Sequence, residues 1–142
     1  MLKTIIKASE NFCVHQIRLP HEVNEGITQK RTLIAYIDID TLDCRKYRVY
    51  IAPEHSFIQQ VSKLFLEEDE SDEETLIDML LETTNLIVGS AKVLAEAEKE
   101  NSYTINTPYF EKIDCFDFLY DDAKTIKIEN NEITIAIKEL NV

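Results

Sequence analysis

Glycine and proline are scarce in this chain of 142 residues, which has 2 glycines, 3 prolines and no tryptophan. A shortage of residues that interrupt helices and strands favours regular elements joined by short connections. Hydrophobic residues make up 44% of the chain and charged residues 30%, which excludes an intrinsically disordered protein. We expect one soluble globular domain over residues 1–142, because this length suffices for a single sizeable core.

Cysteine is also infrequent, and the three cysteines form no CxxC pair and have no histidine at a metal-ligand spacing. An odd number without such a pattern predicts buried free thiols at Cys13, Cys44 and Cys115 in a reducing compartment. No apolar run approaches the roughly 20 residues that cross a bilayer. Lys3 and Lys7 interrupt the N-terminus too early for a signal peptide, so we expect a cytoplasmic protein.

Positive charge is in short supply, with 15 Lys and Arg against 27 Asp and Glu and a net charge of −12. This balance excludes nucleic acids and anionic membrane surfaces as natural partners. The densest acidic run is EEDESDEE at residues 67–74. Such flexible acidic runs usually bind water and not a metal ion, so we expect no metal site in this run.

Hydrophobic periodicity predicts an α+β fold. Apolar residues alternate over 32–40 and 46–52, which indicates a β-hairpin. Pro53 is expected to open a helix that ends near Leu66. A second, longer helix is predicted from about Ser71 to about Lys99, because Ser71 and Glu74 form a capping-box pattern.

Four further strands are predicted over residues 103–107, 113–120, 125–129 and 132–138, with a two-residue turn at Asn130-Asn131. The first 20 residues are ambiguous, because apolar residues from Leu2 to Ile17 roughly fit a helical face while residues 12–19 also fit an extended segment. Residues 21–30 have the polarity of a loop. The order of elements predicts a largely antiparallel sheet packed with two main helices.

The outer side of the long helix carries a polar line. At 100° per residue, Asp78, Glu82, Asn85 and Gly89 fall within a narrow stripe opposite the apolar face. Asn is a mediocre helix former, and Gly costs about 1 kcal/mol relative to Ala inside a helix. A polar outer face is common in amphipathic helices, but an amide can also hold a water molecule, and a glycine admits a close neighbour.

The spacing Asp78-x3-Glu82-x2-Asn85-x22-Pro108 resembles the signature of the CheC/CheX/FliY family of chemotaxis phosphatases. Gly89 is similar to a glycine found four residues after the asparagine in that family. The resemblance covers about residues 31–138. With one motif helix rather than two, the chain looks most like CheX, which works as a homodimer.

The resemblance implies a CheC-like fold and hydrolysis of the aspartyl phosphate of a CheY-like response regulator. It implies that Asn85 orients the attacking water and that Glu82 contacts the regulator's active-site lysine. Asp78 would support these two residues, and Pro108 would shape the strand after the helix. The Mg²⁺ ion would belong to the regulator.

Two other functions are compatible with the sequence. The first is a non-catalytic adaptor or flagellar-switch module that binds a response regulator through the same helix. The second is an unrelated acidic enzyme that uses His15, His21 or His55, although no histidine has a nucleophile at an informative spacing.

Overall fold

A seven-stranded sheet and three helices make up the computed structural model, which describes residues 1–98 and 102–140. The helices are α1 (Leu2–Phe12), α2 (His55–Leu66) and α3 (Glu73–Ala97), and a π-helical turn (Cys13–Ile17) follows α1 directly. The strands are β1 (Glu22–Glu25), β2 (Arg31–Thr41), β3 (Lys46–Pro53), β4 (Tyr103–Ile105), β5 (Tyr109–Cys115), β6 (Asp122–Ile128) and β7 (Asn131–Leu140).

Every pairing between these strands is antiparallel, and the order across the sheet is β1-β6-β7-β3-β2-β4. β4 and β5 lie on the same edge, because β4 pairs with the C-terminal end of β2 and β5 pairs with its N-terminal part. This architecture confirms the predicted α+β class and the largely antiparallel sheet. The third helix, α1, lies within the first 20 residues, which the sequence had left open between a helix and an extended segment.

All three helices cover one face of the sheet. Alternate residues of the central strands point into this layer, including Leu33, Ile37 and Ile39 of β2 and Ile51 of β3. α1 supplies Ile5, which is fully buried, together with neighbours one turn along the helix. The main hydrophobic core therefore lies between the sheet and the helices, as period-two strands facing amphipathic helices require.

The second face of the sheet is partly covered by aromatic residues. Phe116 lies edge-on to Tyr50 with ring centroids 5.2 Å apart, and Phe118 stacks on Tyr50 at 5.0 Å. The segment that carries these two phenylalanines is held at its end by Asp121, whose carboxylate accepts a hydrogen bond from the backbone N–H of Glu139 at 2.6 Å. The predicted strand over 113–120 is thus wrong after Cys115, where the chain leaves β5 and folds across the sheet.

Several predicted boundaries shift for local reasons. Pro53 ends β3, and α2 begins two residues later at His55. The turn after β6 uses Glu129 and Asn130, and Glu129 adopts the positive φ of 56°. The four-residue strand β1 was missed because its side chains are all exposed and so show no alternation.

The start of α3 also differs from the capping-box prediction. Asp72 is the N-cap, and its carboxylate accepts a hydrogen bond from the backbone N–H of Thr75 at 2.8 Å. The backbone N–H of Ser71 donates instead to the side chain of Gln59 at 2.8 Å. The described part of α3 ends at Ala97, and the predicted end at Lys99 lies outside the described residues.

The prediction of three buried thiols is correct only for Cys13. Cys44 and Cys115 are exposed, and Cys44 lies in the tight turn of the β2–β3 hairpin with a φ of 65°. Burial raises the pKa of Cys13 to about 12, so this thiol stays protonated at neutral pH. Among the described helices, none is long and apolar enough to cross a membrane.

Tyr103 joins α3 to the edge of the sheet, because its buried hydroxyl donates a hydrogen bond to the Val88 carbonyl at 2.9 Å. Replacing Tyr103 by Phe should lower the free energy of unfolding by about 0.5–1.5 kcal/mol, the usual net value of such a bond. Urea denaturation measures this change. Tyr109→Phe is the matched control: Tyr109 is 56% exposed, and its loss should be close to neutral. Equal effects of the two variants would contradict the anchoring role of Tyr103.

Candidate functional site

The orientation of α3 decides which of its residues can meet another molecule. One side of the helix is buried against the sheet and the other two helices, and includes Leu80, Ile87 and Ala91. Thr83 and Thr84 are also buried, and their hydroxyls donate to the carbonyls of Met79 and Leu80 within the helix. The polar outer side is therefore fixed in direction by the apolar inner side.

The four residues of the predicted stripe lie together on this outer side. Asp78, Glu82 and Asn85 are exposed, and Gly89 is half-buried. Successive members are three or four residues apart, so their Cβ positions are roughly 5–6 Å from one another. The stripe extends along about 16 Å of the helix axis at 1.5 Å per residue. We call these four residues the reaction surface.

The polar side chains of the reaction surface are unpaired. Within residues 1–98 and 102–140, Asp78, Glu82 and Asn85 make no hydrogen bond or ion pair with another side chain. Asp78 and Glu82 repel each other at a spacing of four residues, which costs an isolated helix about 0.2–0.5 kcal/mol. The two carboxylates and the amide are thus available to a molecule outside the chain.

Gly89 leaves open space on the reaction surface. A Cβ atom built at this position meets no other atom within 4 Å, apart from the neighbouring helix backbone. Its φ is not positive, in contrast to Gly26 with a φ of +85°. Neither packing nor backbone geometry in the described chain therefore requires a glycine at position 89.

Pro108 lies in the break between β4 and β5, two strands that both contact α3. Proline has no N–H to offer a neighbouring strand, so it interrupts the pairing with β2. Asn106 bridges the break, because its backbone N–H and its side-chain amide both donate to the Asp38 carbonyl at 3.0 Å. Pro108 thus has a structural place and is not itself part of the reaction surface.

A groove between α1 and α3 flanks the reaction surface, and the sequence reasoning missed it. Its apolar wall includes Phe12, Leu86 and Ile87, and the π turn contributes His15 and Gln16 to its rim. Leu86 is four residues after Glu82 and is 41% exposed. An apolar residue on the polar side of the helix was the available signal, but only the packing of α1 shows that it lines a groove.

The described residues contain no group of three or more His, Cys, Asp or Glu side chains placed to hold a metal ion. The three histidines lie in different elements: the π turn, the loop before β1 and the start of α2. His21 lies 2.9 Å from Glu10, and no serine or cysteine completes a nucleophilic pair there. The histidine-based enzyme that the sequence left open gains no support from this placement.

The chemistry available to the reaction surface is limited and specific. A carboxylate can accept a hydrogen bond or attract a cation, and a carboxamide can both donate to and accept from one water molecule. The surface contains no nucleophile or general base of the Ser–His type. It can therefore position water or bind a cationic group, while an electrophile must come from a partner.

Comparison with known proteins gives structural matches only. No protein-family model matches the chain, and no curated relative does. The fold is similar to a chemotactic CheC-like protein from Shewanella oneidensis MR-1, with a TM-score of 0.80, 15% identity and 97% and 96% of the two chains covered. It is also similar to CheX from Vibrio vulnificus, with a TM-score of 0.78, 17% identity and 96% and 97% covered.

A third match is the CheX-CheY-BeF3-Mg²⁺ complex from Borrelia burgdorferi, with a TM-score of 0.68, 15% identity and coverage of 96% of this chain and 97% of that one. These matches confirm the CheC-like fold that the sequence resemblance implied, in its CheX-like form. At these identities the matches establish the fold.

Gly89→Ala should stabilise the isolated protein by about 0.5–1 kcal/mol, because alanine restricts the unfolded chain and meets no obstacle in the folded one. Thermal or urea unfolding measures this gain. The matched control is Gly26→Ala, which should destabilise the protein because Gly26 has a positive φ. A destabilised Gly89→Ala protein would mean that the fold itself requires this glycine.

Proposed function

We propose that this protein is a phosphatase of a CheY-like response regulator, acting in cytoplasmic chemotaxis signalling. The observation that carries the proposal is the pair Glu82 and Asn85. Both are exposed and have no side-chain partner among the described residues, and they lie one turn apart on a helix whose other side is buried. The similarity to CheX in complex with CheY, BeF3 and Mg²⁺ supports a regulator as the partner. Residues 1–142 would act as one CheX-like phosphatase domain.

In this proposal the regulator brings the electrophile and the metal. Its aspartyl phosphate is bound to Mg²⁺, and the phosphatase contributes no cofactor of its own. The Asn85 amide accepts a hydrogen bond from one water molecule and holds its oxygen opposite the acyl phosphate bond. The water oxygen forms a bond to phosphorus and the bond to the aspartyl oxygen breaks. Both protons of the water stay with the phosphate, so the products are inorganic phosphate, as H2PO4⁻, and the free carboxylate.

Glu82 would hold the regulator in place. Its carboxylate accepts hydrogen bonds from the ammonium group of the regulator's active-site lysine, a charge-assisted contact that is stronger than a neutral one. Glu82 has no competing ion pair within the described chain, so it needs no rearrangement before this contact. Asp78 adds negative charge one turn away, and Gly89 gives the regulator backbone room to approach.

The decisive variant is Asn85→Ala, which should reduce phosphate release from the phosphorylated regulator about a hundredfold or more. Removal of a single group that positions or stabilises the reacting atoms has an effect of this order. Release of phosphate is followed with the regulator in excess, and single-turnover decay of the phosphorylated regulator provides a second measure. Glu82→Ala should also slow the reaction, mainly through weaker binding of the regulator.

Asn24→Ala provides the matched control, because Asn24 is an exposed asparagine of β1, at the edge of the sheet opposite β4 and β5. It should retain the activity of the unmodified protein. Full activity of both Glu82→Ala and Asn85→Ala would refute the assignment of these residues. Binding of the regulator without faster loss of phosphate would select a non-catalytic adaptor.

We also propose that the protein works as a homodimer, as the CheX-like form of the fold suggests. Sedimentation equilibrium should then give a mass of twice the 16.5 kDa of the chain at micromolar concentration. The measurement is made in about 0.15 M salt, because each chain has a net charge of −12 and low salt would strengthen the repulsion between two copies. A mass of 16.5 kDa across the accessible concentrations would overturn the dimer.

A further inference from the structure

The groove beside the reaction surface has the dimensions of one side chain. It lies between α3 and the end of α1, and its volume is about 160 Å³. An apolar cavity of about 150 Å³ accommodates a benzene molecule. The groove is open to solvent, so a single aromatic or branched aliphatic side chain can enter it from outside.

The walls of the groove select an uncharged occupant. Phe12, Leu86 and Ile87 supply apolar surface. The polar residues of the lining are Asn11, His15, Gln16 and Ser90. No carboxylate lines the groove in the described chain, although 27 of the 142 residues are acidic. Exposed carboxylates lie beside the groove instead, at Asp78 and Glu82 of the reaction surface.

The groove and the reaction surface form one continuous contact area. Leu86 follows Asn85 directly and is one turn from Glu82, so a protein that covers both polar residues also reaches Leu86. The rim on the α1 side is formed by the π turn, which contributes His15 and Gln16. Such turns are rare in helices and are frequent at functional sites.

We propose that the groove is the docking site for an uncharged apolar side chain of the response regulator, adjacent to the regulator's phosphorylated site. This inference rests on the proposed function, since it assigns the regulator as the occupant. The side chain enters between Phe12 and Leu86 while the regulator's cationic group meets Glu82. Apolar burial in the groove then supplies affinity, and the polar stripe supplies the chemistry.

The test separates affinity from chemistry. Each CheY-like regulator of the source organism is loaded with Mg²⁺ and BeF3⁻, an analogue of the aspartyl phosphate, and its Kd is measured by titration calorimetry. Leu86→Gln should raise Kd about tenfold or more, because burial of a leucine side chain changes a dissociation constant by at least about a factor of ten. The rate of phosphate release at saturating phosphatase should stay unchanged. Ser90→Phe, which fills the groove from α3, should raise Kd in the same way.

Val93→Gln is the matched control on the same helix. Val93 is 65% exposed, more than Leu86 at 41%, and does not line the groove. If any exposed apolar residue of α3 could supply the affinity for the regulator, Val93→Gln would weaken binding at least as much as Leu86→Gln. We expect Val93→Gln to raise Kd less than Leu86→Gln, because Val93 lies one turn beyond Gly89 on the outer side of α3 but does not line the groove.

The outcomes for the groove and for the phosphatase activity are distinguishable. Unchanged Kd values for Leu86→Gln and Ser90→Phe, with normal binding by the unmodified protein, overturn the docking proposal for the groove and leave the phosphatase proposal standing. Weaker binding by these variants, with no phosphate release by the unmodified protein, supports the groove and overturns the phosphatase. Failure of the unmodified protein to bind any of the regulators overturns both.

Discussion

Burial of one side of α3 against the sheet is the constraint on which the reaction surface depends. Side chains that stabilise the fold, such as Leu80 and Ile87, occupy the inner side and fix the rotation of the helix about its axis. Because residues three and four apart share a side of a helix, that rotation also fixes where Glu82 and Asn85 point. The Tyr103 hydroxyl adds a second restraint through its bond to the Val88 carbonyl, and burial raises the pKa of Tyr103 well above its usual range, so it remains a donor at neutral pH.

The sequence was sufficient to predict those features that depend on periodicity. The hairpin of β2 and β3, the last two strands and the long helix all follow from alternation or from a 3.6-residue repeat. The stripe followed for the same reason, since helical spacing alone aligns Asp78 with Gly89. Local competition between possible partners is not visible in a periodic pattern. Ser71 had the spacing of a helix cap, but its hydroxyl bonds to Glu68, and Asp72 caps α3 instead.

Features that depend on packing between distant segments could not be read from the sequence. The segment after Cys115 has the aromatic content of a strand, yet Phe116 and Phe118 pack onto Tyr50 of the second sheet face. The N-terminal segment became interpretable only as part of the helical layer, where Phe12 contacts α2 and α3. The groove belongs to this class, because one wall comes from the first 17 residues and the other from α3.

The proposed binding of a regulator to the reaction surface and the groove explains two features of α3 that the stability of the helix does not. Glycine at position 89 weakens the helix although an alanine would fit, and the adjacent carboxylates Asp78 and Glu82 have no cation beside them in the described chain. Both become favourable once a second protein covers the surface, since its backbone can use the space and its cation can pair with Glu82. A leucine exposed on the same side fits this explanation, because its apolar area is removed from water only in the complex. The intrinsic cost to the free helix is then a few tenths of a kcal/mol to about 1 kcal/mol for each feature, which a single charge-assisted contact with the partner, worth about 1.5–3 kcal/mol, can offset.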